Sequence, residues 1–97
     1  MNQQDTIDKI TRSLNIDYQT FRHESARYFL ERKLRDVTSG IFNICGKYNI
    51  SSIQQFDSLY KEGKIEEYAT MEDYKQLDRL EYQRDVIKNL LVELKND

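Results

Sequence analysis

Ninety-seven residues, 38% hydrophobic and 33% charged, with no proline and three glycines, make at most one small domain. That apolar share is below the roughly 45–50%, glycine included, of ordinary soluble globules. Fifteen basic and seventeen acidic side chains leave a net charge of −2, less basic than a dedicated nucleic-acid binder, and the single cysteine, Cys45, excludes an intrachain disulfide. The profile predicts long uninterrupted helices in an extended hairpin or short bundle. Its core is small enough that a homo-oligomer, a dimer first, is expected.

The opening residues MNQQDTIDKI are too polar for a signal peptide, and no run approaches the roughly 18 apolar residues of a membrane span. A cytoplasmic protein without membrane contact is expected. Ile7, Ile10 and Leu14 recur at helical spacing, with Asp5 as a possible N-cap. A helix of about three turns is marginal without packing, so residues 1–17 read either as a short helix or as a frayed arm. Asn15 to Asp17 breaks the pattern, and Asp17 is the next possible N-cap.

A long helix is predicted from Tyr18 to about Tyr48. Leu30, Leu34, Val37, Ile41, Ile44 and Tyr48 are spaced alternately four and three apart, the seam of a helix packed against an antiparallel neighbour. Phe29, Phe42 and Cys45 widen the stripe enough for a second neighbour. Gly40 interrupts this helix at roughly 1 kcal/mol relative to alanine, either for a close helix crossing or because the cost is tolerated.

Asn49 suits a left-handed C-cap. Ser52 with Gln55 matches a capping box for a short helix whose apolar face is Phe56, Leu59 and Tyr60, and Gly63 is placed to stop it. A polar connector follows with Ile65 as its one apolar anchor. Thr70 with Asp73 resembles another capping box, predicting a last helix from about Met71 to Lys95. Its seam is Leu77, Leu80, Ile87, Leu91 and Leu94, flanked by Tyr74, Val86 and Leu90. Arg84 occupies a seam position. It either fixes register or lays its stem along the seam with its head in water.

The predicted fold is therefore all-α: an antiparallel helical hairpin of two long helices over residues 18–97, a short helix at the corner, and an N-terminal arm or short helix over 1–17. Phe56, Leu59 and Leu77 are expected to hold the corner together.

No catalytic constellation is visible. His23 is the only histidine and lies 22 residues from Cys45, about six turns away on one helix, too far for a nucleophile–base pair. The segment HESAR lacks the second histidine of a helical zinc motif. Glu66, Glu67, Glu72 and Asp73 have no calcium-loop spacing, and neither a phosphate loop nor a nucleophile elbow is present. No enzyme activity, cofactor or metal is expected. Arg22, Arg27, Arg32, Lys33 and Arg35 scatter around the helix at about 100° per residue, so nucleic-acid binding is not favoured.

Charge is nevertheless uneven. Residues 22–47 carry six basic and three acidic side chains, and residues 57–81 carry eight acidic and four basic. The acidic stretch presents Tyr60, Tyr68 and Tyr74, a combination suited to docking a basic partner.

The segments FLERKL and KYNISSIQQFDSLYKEGKIEEYATMEDYKQLDRLE resemble a group of small helical prokaryotic proteins found as the antitoxin half of toxin–antitoxin pairs. Lys47, Tyr48, Ile50 and Ser51 match the family's first element, with Asn49 where a glycine is usual. Phe56 matches its short helix, Glu62, Gly63 and Ile65 its turn, and Asp73 with Tyr74 the opening of its last helix. The resemblance covers roughly residues 28–92, and the family's common tryptophan positions have no counterpart here. It implies inhibition by direct binding of a small basic toxin, with Glu67, Glu72, Asp73 and Tyr74 as the docking residues. The alternatives are a homo-oligomeric coiled-coil adaptor and a small nucleic-acid-binding regulator.

Overall fold

The computed structural model describes residues 3–97, which form four helices: α1 (Gln3–Ser13), α2 (Tyr18–Tyr48), α3 (Ile53–Lys61) and α4 (Glu67–Asn96). There is no strand among the described residues. The helix boundaries follow local chemistry. Asp17 caps α2, its carboxylate accepting from the Thr20 N–H at 3.1 Å. Asn49 ends α2 in the left-handed region at φ 55°, ψ 47°, its N–H reaching the Cys45 carbonyl. Ser52 accepts from Gln55 N–H at 3.3 Å, and the Gln55 side chain reaches back to the N–H of Ser51 at 2.6 Å, one residue before the cap. Gly63 reverses the chain at φ 70°, a conformation that only glycine adopts without a steric cost.

Two expected starts are corrected. Asp5 lies inside the first turn of α1 rather than before it. The last helix begins at Glu67, four residues ahead of the expected start at Met71. Thr70 is a helix-interior residue whose hydroxyl donates to the Glu66 carbonyl at 2.9 Å. The connector thus shrinks to residues 62–66, still anchored by half-buried Ile65.

The seams meet as an antiparallel hairpin. Val37, Ile41, Ile44 and Cys45 of α2, Phe56 of α3, and Leu77 and Ile87 of α4 form the buried apolar core, with Leu30, Leu34, Tyr48, Leu80 and Leu91 packed at its edge. A Cβ on Gly40 would sit 3.0 Å from Leu80 Cδ1, so this glycine lets Leu80 approach the α2 backbone closely. Arg84 keeps 29% of its side chain exposed, with Nε donating to Asp85 at 3.0 Å: the stem follows the seam and the head stays at the rim.

Phe29 and Phe42 do not acquire the second neighbour their positions suggested; they are 66% and 78% exposed. α1 is helical, but its Ile10 and the following Leu14 remain exposed and it contributes nothing to the apolar core. The molecule is long, 61 × 30 × 17 Å, with a radius of gyration of 19.6 Å against about 12–13 Å for a compact globule of this length. No helix is long and apolar enough to cross a membrane among the described residues.

Candidate partner-binding surface

The hairpin corner is built from four rings. Phe56 is fully buried, with its centroid 4.7 Å from Tyr48, 5.3 Å from Tyr60 and 5.4 Å from Tyr74, and Tyr60 and Tyr74 are 5.6 Å apart. Such offset and edge contacts favour one ring arrangement beyond simple burial. Each tyrosine hydroxyl has a partner. Tyr48 donates to Asp73 at 2.5 Å, Tyr74 donates to Asp57 at 2.8 Å, and Tyr60 meets the Thr70 hydroxyl at 2.6 Å. Lys47 lies 3.4 Å from Asp73, and the Glu81 carboxylate accepts the Ile53 N–H at the start of α3 at 2.9 Å.

These bonds shift the phenols. Burial, then the bond to Asp73, pushes Tyr48 up to about 12. The bond to Asp57, then burial, pushes Tyr74 up to about 12. Free tyrosine titrates near 10, so the folded state favours the neutral phenols. Their contribution to stability is complete below about pH 10 and is lost as pH rises toward 12. A phenolate absorbance titration is expected to show a late step near pH 12 that Tyr48→Phe and Tyr74→Phe each reduce, with helical circular dichroism falling across the same window. A titration in which neither substitution changes the late step contradicts this assignment.

Of the four docking residues expected from sequence, two face inward. Asp73 is held by Tyr48 and Lys47, and Tyr74 belongs to the ring cluster. Glu67 and Glu72 are exposed on α4. Beside them stand Tyr68, 86% exposed, and Met71, 38% exposed. Asp57, Tyr60, Glu67, Met71, Tyr74 and Lys75 line a groove of about 310 Å3 between α3 and α4. Met71 was not singled out from the sequence. Its signal is the i, i+4 spacing from Glu67, which is legible only once α4 is known to begin there.

The residues considered for chemistry are occupied structurally. Cys45 is buried, and burial pushes its thiol up, away from the reactive thiolate. His23 donates through Nε2 to the Leu94 carbonyl at 2.9 Å, tying the start of α2 to the last turn of α4. Arg27 bonds Glu24 and Glu31 and lies over the Tyr28 ring, while Arg22, Arg32, Lys33 and Arg35 are exposed. No group of three or more His, Cys, Asp or Glu is placed to hold a metal among the described residues.

The architecture defines an all-α helical hairpin with a small corner helix and a short N-terminal helix. A family-model match spans residues 1–97, and the chain belongs to the uncharacterized protein MJ0235 family. No curated protein and no solved structure matches it.

Proposed function

We propose that this protein is a non-enzymatic protein-binding module, acting in the cytoplasm, whose hairpin corner docks a partner with a basic face. The observation that carries the reading is the coincidence, on one turn and a half of α4, of exposed Glu67 and Glu72 with exposed Tyr68 and Met71 beside the corner groove. Acids steer a basic partner, and an aromatic and a thioether supply apolar contact area. Asp73, held by Tyr48 and Lys47, supports the surface, and half-buried Tyr74 lines the groove. The likeness to antitoxins makes a small basic toxin the specific form of partner, neutralised by occlusion of its active surface.

Affinity capture of the tagged protein from its native cells, with Glu67→Lys/Glu72→Lys alongside, tests the reading. The expected result is one small basic protein in stoichiometric amount. Its affinity should fall by at least about tenfold in the double variant and weaken with salt. Recovery of the chain alone, or equal capture by both forms, removes the proposed docking surface.

A further inference from the structure

The seam of α4 faces α2, and a second, outward stripe remains uncovered. Arg79, Tyr82, Val86, Leu90 and Glu93 are spaced three, four, four and three apart. At about 100° per residue they fall within roughly 80° of one another on a straight helix. All five are exposed, Tyr82 by 70%, Val86 by 38% and Leu90 by 41%. Neither Arg79 nor Glu93 has an ion-pair partner among the described residues.

The order of types reverses in charge about Val86: basic, apolar, apolar, apolar, acidic. One turn further out on each side Lys75 and Asp97 continue it, basic at one end and acidic at the other. A stripe of this kind is complementary to itself when reversed. We propose that the chain forms an antiparallel two-fold dimer through this face of α4, with the axis at Val86. Val86 then meets the partner's Val86, Tyr82 packs on the partner's Leu90, and Arg79 pairs with the partner's Glu93. Every contact off the axis occurs twice, as an isologous interface requires.

Two further observations favour a second copy in this orientation. The corner half of the hairpin, residues 36–83, carries nine acidic and five basic side chains, net −4. The open half, residues 18–35 with 84–97, carries eight basic and five acidic, net +3. In the antiparallel pair the corner acids ahead of residue 75 overhang the partner and Arg79 faces Glu93, whereas a parallel pair in register sets Arg79 against Arg79 and Glu93 against Glu93. The chain also exposes 7645 Å2, about 1,700 Å2 more than the roughly 5,900 Å2 of a compact monomer of 11.7 kDa. A standard interface needs about 800 Å2 from each copy, which this excess can supply. The overlap of residues 75–97 runs roughly 33 Å along the helix. It leaves Glu67, Tyr68, Met71 and Glu72 outside the interface, so dimerisation is independent of the corner reading.

Sedimentation equilibrium on the full chain, over a concentration series, is expected to show a monomer–dimer equilibrium. Arg79→Glu or Glu93→Arg places two like-charge pairs in every dimer and should weaken it about tenfold. Combining both substitutions recreates the pairs with reversed sign and should restore wild-type affinity. Under an added thiol oxidant, Val86→Cys should cross-link into a disulfide dimer faster than Lys88→Cys, with buried Cys45 of the wild type as the control. The substituted positions are on the surface, so circular dichroism should show unchanged helix content. A wild type that stays monomeric overturns the proposal. So does a double charge variant as weak as the single ones, or Val86→Cys cross-linking no faster than Lys88→Cys.

Discussion

Phe56→Ala is expected to destabilise the protein by about 3–5 kcal/mol, a large part of the roughly 5–15 kcal/mol typical of a whole domain. The ring is completely buried, and three other rings lean on it. Cavity costs are highest where the surroundings cannot relax into the gap, and here they are held in place. Tyr48, Tyr60 and Tyr74 are fixed at their far ends by Asp73, Thr70 and Asp57, so inward collapse would break those bonds. Urea unfolding followed by circular dichroism gives the measurement. A loss below about 1 kcal/mol would mean that the rings do close the cavity and that the hydroxyl anchors are weak.

Leu77→Ala should cost about 2–5 kcal/mol. Leu77 is the one fully buried side chain of α4, on the helix against which both α2 and α3 pack. A volume-conserving Leu77→Met should cost less than about 1.5 kcal/mol, and the contrast separates lost volume from any change at the position. If alanine and methionine are equally destabilising in the same urea experiment, shape rather than cavity volume governs the site. If neither matters, Leu77 is not central to the core.

The helices and most of their ends were legible because they are local events. Asp17, Asn49, Ser52 and Gly63 each act on backbone within a few residues, and the seams are periodic patterns along single helices. Thr70 misled for the same reason: with Asp73 three residues on, it mimics a cap. The distinction comes from Tyr60, which engages the Thr70 hydroxyl across the corner, and from Glu66, which starts the helix with no side-chain cap bond to announce it. The site was less legible. Asp73 and Tyr74 read as presented residues because their partners, Tyr48, Lys47 and Asp57, lie 17 to 26 positions away. Phe29 and Phe42 show the converse, since an apolar residue beside a seam carries no information about whether a neighbour exists to cover it.

The placement of the core has a consequence for how the hairpin breathes. Six of the seven buried apolar residues, from Val37 to Leu77, lie toward the corner, and only Ile87 is buried in the half toward the free ends. Opening free energy is therefore graded along the length. In a hydrogen-exchange experiment, amides near Ile41, Phe56 and Leu77 are expected to exchange only with global unfolding, and those near Tyr18 and Leu94 through partial separation of the helix ends, restrained locally by the His23 bond to Leu94. Closure proceeds in the opposite sense, since the short loop at residues 62–66 brings α3 and α4 together at the least entropic cost. On this arrangement the hairpin is expected to close from the rings outward and to open from the far end.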